Sequence, residues 1–138
     1  MNQTADYTML MQSIQQQLTG QTIIEIAFTK NITPGREDRV VFKTLNGKKY
    51  ALTSHIACHE SFWLSRVIGI PTEIIGERVT NIEVTSRLLR PCDQTHSNLT
   101  KANIVFMAEI GQFELGFLHS YDNCCPFSVV FEEITDED

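Results

Sequence analysis

Eight side chains in this chain of 138 residues can ligate a soft metal or act as nucleophiles, and they fall in three short stretches. The stretches are His55, Cys58 and His59, then Cys92 and His96, then His119, Cys124 and Cys125. Imidazole and thiolate are the groups that bind zinc or attack carbonyl and phosphoryl centres near neutral pH. Zinc takes four ligands tetrahedrally. The set that could supply them is His55, Cys58, His59, His119 and Cys124, provided the first and third stretches end neighbouring strands. The dense Cys-x2-Cys pairing of a zinc ribbon is absent. A thiolate–imidazole pair, Cys58 with His59 or Cys124 with His119, is the second chemistry. No elbow or oxyanion motif accompanies either cysteine. The competing reading makes the cysteines small buried hydrophobes and the histidines loop or rim residues. The residue types favour that reading, so the expectation is a non-catalytic protein without a cofactor, with zinc as the alternative.

Other catalytic signatures are weaker. The glutamates are scattered without a paired-carboxylate pattern, and Gly69 and Gly76 fit neither nucleotide fingerprint. Binding chemistry is better represented. Phe62 and Trp63 form a bulky aromatic pair suited to anchoring a partner or stacking on a ring. Arg87, Arg90 and Lys101 are the cations that could hold phosphates.

Composition bounds the class. The net charge is −6, and five of the 17 acidic residues (Glu132, Glu133, Asp136, Glu137, Asp138) close the chain; without them the body holds 12 acidic and 11 basic side chains. No basic block favours nucleic acid. No run of 18 apolar residues spans a membrane. No positive n-region precedes an apolar block, so a cytoplasmic location with reduced thiols is expected.

Positioning elements follow from periodicity. Residues 5–19 read as a helix through Met9, Leu10, Ile14 and Leu18, stopped at Gly20. Thr22–Thr29 reads as a strand with Ile24, Ile26 and Phe28 on one face. Residues 31–38 read as a loop, Arg39–Thr44 and Lys48–Thr53 as strands, and Asn46-Gly47 as a type I′ turn between them. Glu60–Val67 reads as a short helix or wide turn, Val79–Leu88 as extended, and Pro91–Thr100 as a long loop. Ala102–Ile110, Gln112–His119 and Phe127–Phe131 complete the strands before an acidic tail over 132–138. The sum is a single α+β domain, a mainly antiparallel β-sheet with an N-terminal helix packed on it.

The order of these motifs resembles a family of small phage and prophage proteins classed as a domain of unknown function. Its members carry a hairpin turn ending in tyrosine, a His-and-double-Cys-Glu segment, a Gly-containing strand pair and a Ser-Asn-Gly-Tyr-Tyr-Ser segment before a closing strand. Leu45-Asn46-Gly47-Lys48-Lys49-Tyr50 looks like the hairpin, and His55-Ile56-Ala57-Cys58-His59-Glu60 looks like the second motif. Tyr121-Asp122-Asn123-Cys124-Cys125-Pro126-Phe127-Ser128 sits where the last motif falls, and Val130-Phe131-Glu132-Glu133-Ile134 looks like the closing strand. His59 stands where the family has a cysteine, and Cys124-Cys125 stands where it has two tyrosines. The resemblance covers residues 20–134 and implies a mobile-element origin. The expectation is a phage-derived binding protein that antagonises a host antiviral component. It would either occlude a host protein through Phe62, Trp63 and the acidic tail, or sequester a nucleotide signal, as a homo-oligomer, through Arg87, Arg90 or Lys101. The alternatives are a zinc- or cysteine-dependent enzyme and a structural subunit of a phage assembly.

Overall fold

Apolar side chains recur along the N-terminal segment at Tyr7, Leu10, Ile14 and Leu18, and all four are buried. That spacing puts them on one stripe of the helix α1 (Thr8–Leu18). Met9, expected on the same stripe, is 79% exposed. It lies one step round the helix from Leu10. The computed structural model describes residues 7–29, 39–54, 61–69, 71–121 and 129–135. The expected loop over 31–38 and the residues after 135 lie outside that range.

Among the described residues, eight antiparallel strands form two sheets of four. The first has the order β1-β2-β3-β8, with β1 (Ile23–Thr29), β2 (Arg39–Thr44), β3 (Lys49–Ser54) and β8 (Val129–Ile134). The second has the order β4-β7-β6-β5, with β4 (Ser61–Ile68), β5 (Val79–Arg90), β6 (Asn98–Ala108) and β7 (Gln112–Tyr121). A one-turn 3-10 helix, Pro71–Glu73, leads from β4 towards β5. This is the expected α+β class, with one helix packed on sheet.

Rings join the two sheets. Phe42 of β2 lies 5.0 Å from Phe106 of β6 and 5.9 Å from Phe131 of β8. Phe106 in turn lies 6.0 Å from Phe113 of β7. Phe42, Phe106 and Phe113 are fully buried, and Ile14 and Leu18 extend the same core from α1. The helix also covers open strand edges. Ser13 and Gln17 donate to the Phe131 carbonyl of β8 at 3.0 Å each, and Gln15 donates to the Ile82 carbonyl of β5 at 2.8 Å. An edge carbonyl left bare is a template for foreign pairing, so the polar side of α1 has a structural use.

The structure departs from periodicity in several places. Ser61–Ile68, overlapping the expected helix or turn over Glu60–Val67, is a strand paired with β7. Its β-branched and aromatic residues find a partner there, and pairing outweighs the weak local signal. In β1 a register shift separates Ile23, opposite Thr44, from Ile26 and Phe28, opposite Phe42 and Val40, and Ile24 falls within that irregularity rather than in register with them. Asn98–Thr100, expected in a loop, begins β6, where the Asn98 and Thr100 side chains are buried and hydrogen-bonded. Glu132 and Glu133, expected in the tail, belong to β8 opposite Ala51 and Tyr50.

The turn at Asn46-Gly47 is also of another kind. Gly47 N–H donates to the Thr44 carbonyl, Thr44 N–H donates to the Lys48 carbonyl, and Gly47 has φ 87°. This is a three-residue loop with glycine in the left-handed region and a bulge, rather than a two-residue type I′ turn. Asn46 Oδ1 accepts from the Thr44 hydroxyl and from Lys48 N–H, which fixes it.

Gly111, between β6 and β7, is required for space. A Cβ there would lie 2.6 Å from the Glu73 carbonyl oxygen. Gly111→Ala is therefore expected to cost about 1–3 kcal/mol through overpacking against a backbone atom, seen as a lowered urea midpoint with unchanged slope.

Candidate functional site

Along β6 the buried residues Asn98, Thr100, Ala102, Ile104 and Phe106 alternate with the half-exposed Leu99, Lys101, Asn103, Val105 and Met107. Period-two alternation sends the second set to the outer face of the sheet. Register then fixes what stands beside each. Lys101 is the Cα partner of Arg87 on β5 and of Leu118 on β7, and Leu118 is the partner of Trp63 on β4. Two residues along, Asn103 is flanked by Thr85 and Gly116, and Gly116 by Arg66. One row further, Val105 is flanked by Glu83 and Glu114. The outer face thus carries Arg87 and Lys101 at one end, Arg66 in the Asn103 row, and carboxylates at the other end.

Thr85, Ser86, Arg87, Lys101 and Asn103 line a polar groove of about 280 Å³ on this face. Like charges directly opposite one another weaken a sheet, and an anion between Arg87 and Lys101 would relieve that repulsion. The other such pair, Lys43 with Lys49, differs: Lys43 has Glu25 as its second cross-strand neighbour, whereas the Arg87–Lys101 row contains no acid.

The cations and aromatics read from the sequence distribute as follows. Arg87 and Lys101 are brought together. Arg90 stands at the end of β5 and donates to the Ser97 carbonyl at 3.4 and 3.5 Å, bracing the β5–β6 hairpin. Trp63 occupies the Arg87–Lys101 row by register, and Phe62 is the partner of His119. Thr85, Asn103 and Gly116 belong to no sequence motif. The β6 alternation holds the signal for Asn103, but its strand neighbours emerge only with the pairing.

Of the soft-ligand residues, Cys92, His96 and His119 are described. His55, Cys58, His59, Cys124 and Cys125 lie outside the described residues. The strand ends that flank their segments are paired, Ser54 with Val129 and Ser61 with Ser120. His119 is fully buried, with Nδ1 2.8 Å from the Tyr7 hydroxyl and its ring stacked 4.6 Å from Tyr121. The Tyr121 hydroxyl is 3.2 Å from that of Thr100, and Asn98 donates to the Tyr121 carbonyl at 3.1 Å. His119 is thereby tied into a polar network reaching the start of α1. Among the described residues, no three His, Cys, Asp or Glu gather as metal ligands.

Cys92 and His96 lie in the β5–β6 hairpin around Asp93. Asp93 Oδ1 accepts from the backbone N–H of Thr95 at 2.8 Å and of His96 at 2.7 Å, and from the Thr95 hydroxyl at 3.1 Å. Those bonds, the Thr95 N–H first, lower its pKa from 3.8 to about 2. A depressed carboxylate stabilises the turn above its unfolded pKa and loses that contribution as pH falls from there through the folded value. The Asp93 side-chain carboxyl carbon resonance is expected to titrate with a midpoint near 2. A midpoint near 4 would contradict this bonding.

A second groove, of about 390 Å³ and largely apolar, lies between α1 and β8 and is lined by Met9, Leu10, Ser13, Val129, Val130, Phe131 and Glu132. No helix among the described residues is long and apolar enough to cross a membrane. No family model, curated protein or solved structure matches the chain.

Proposed function

We propose that this chain is a non-catalytic binding protein that captures a phosphate-bearing small molecule of the nucleotide class on the outer face of β5 and β6. In the phage setting that its motifs resemble, the effect is to withhold such a signal from a host antiviral system. The observation that carries the reading is the direct pairing of Arg87 with Lys101 over a polar groove, in a row without acids. Guanidinium and ammonium groups side by side supply several charge-assisted donors to one phosphate. Thr85, which shares the outer face with Arg87, adds a hydroxyl group at the groove wall.

Calorimetric titration with nucleoside 5′-monophosphates at low salt tests this. Saturable binding that weakens as salt rises is expected, with the ligand recovered chemically unchanged. Absence of binding, or conversion of the ligand, contradicts it.

The α1–β8 groove favours a second reading, occlusion of a host protein, because Met9 stands exposed beside Val129 and Val130. Methionine suits an adaptable apolar contact. Met9→Glu would abolish that association and leave nucleotide binding untouched.

A further inference from the structure

We infer that the face which holds the phosphate also reads the base: Asn103, beside Gly116, pairs with the edge of a nucleobase that presents a donor next to an acceptor, adenine being the type. The inference rests on the phosphate reading above and deepens it.

Three features of the outer face lead to it. The first is Gly116, in the interior of β7, where no positive φ calls for glycine. Glycine inside a strand marks close approach by a ligand or another part of the chain. A Cβ at Gly116 would lie 3.2 Å from Asn103 Oδ1 and 3.2 Å from Arg66 Cβ. Its absence lets the Asn103 amide lie low against the β7 backbone, beside the Arg66 stem.

The second is chemistry. A carboxamide offers one acceptor and two donors in a plane, and it meets adenine in a bidentate manner through N6 and N7. Arginine and lysine cannot make that reciprocal pair, because they only donate.

The third is spacing and sign. Asn103 is two residues from Lys101, about 6.7 Å along a strand. One nucleoside monophosphate reaches from a phosphate at Arg87 and Lys101 to a base at Asn103. The next row holds Glu83 and Glu114 on either side of Val105. Carboxylates there repel a phosphate, so the ligand has one orientation, with its phosphate at the Arg87–Lys101 end and its neutral ring towards the acidic end.

The test compares adenosine 5′-monophosphate with ribose 5-phosphate, which lacks the base, on the full chain. The monophosphate is expected to bind at least ~10-fold tighter, in line with one bidentate pair. Asn103→Leu should bring the monophosphate down to the level of ribose 5-phosphate on the same variant, so that the preference between the two ligands disappears. Gly116→Ala, which pushes the Asn103 amide aside, should erode the same preference. Thermal midpoints of both variants show whether the fold persists. Should Asn103→Leu unfold the chain, Asn103→Asp, which keeps the acceptor and loses the donors, takes its place with the same expected loss of preference. Equal affinities of the two ligands for the unaltered chain would overturn the base reading while leaving phosphate capture standing. So would a loss in Asn103→Leu that falls equally on both. If neither ligand binds, phosphate capture fails and the base reading fails with it.

Discussion

Arg87→Glu should abolish nucleotide capture while leaving the fold as stable as before, or slightly more stable. The substitution removes a charge-assisted donor and places a carboxylate opposite Lys101, its cross-strand partner. Charge-assisted hydrogen bonds contribute about 1.5–3 kcal/mol each. Losing the Arg87 contacts and neutralising Lys101 therefore lowers affinity on the order of 100-fold or more. Opposite charges across a strand pair contribute about 0.2–1 kcal/mol relative to a neutral pair, and Arg87 is exposed, so no core contact is disturbed. Binding and stability thus move in opposite directions. A merely structural role for Arg87 predicts that they fall together. Calorimetric titration alongside thermal unfolding separates the two outcomes. A variant that binds normally would remove Arg87 from the site.

His119→Leu should be far more damaging to the fold than any change on the outer face. His119 is fully buried, its Nδ1 meets the Tyr7 hydroxyl at 2.8 Å, and its ring stacks on Tyr121. Removing the imidazole takes the 2.8 Å hydrogen-bond partner from the buried Tyr7 hydroxyl, at a cost of about 1–3 kcal/mol. Loss of the ring pair adds about 0.5–1.5 kcal/mol. For a chain of 138 residues each kcal/mol corresponds to about 3 °C in the thermal midpoint, so a drop of about 5–13 °C is expected. Tyr7→Phe in the same background removes the hydroxyl whose imidazole partner is gone and should recover part of the loss. Additive effects of the two substitutions would contradict the coupling. Because Tyr7 precedes α1, the damage should appear first as loss of helix docking, read from amide exchange in Leu10, Ile14 and Leu18.

Elements are legible in the sequence where periodicity is strong. Leu10, Ile14 and Leu18 mark α1, and Phe113, Leu115 and Phe117 mark β7, because one face of each is buried and the other wet. β4 is not legible. Ser61–Ile68 mixes apolar and polar residues without clean alternation, and a bulge between Leu64 and Arg66 breaks its period. The register shift after Ile23 hides the true face of β1 in the same way. Arg87 and Lys101 can be named as cations from the sequence alone. Their direct opposition cannot, because it depends on how a hairpin closing at Pro91–Ser97 sets the β5–β6 register. Asn103 and Gly116 become visible as neighbours only once β6 and β7 are paired. His119 draws attention as a soft ligand, and its burial against Tyr7 depends on a helix more than 100 residues away in the chain.

The most direct measurement is a two-dimensional amide NMR titration of the isotope-labelled chain with adenosine 5′-monophosphate. Dose-dependent shifts confined to Thr85, Ser86, Arg87, Lys101 and Asn103 and their neighbours on β7 are expected, saturating with one ligand per chain. Shifts centred on the α1–β8 groove instead, or no shifts at millimolar ligand, would contradict capture on the outer face of β5 and β6.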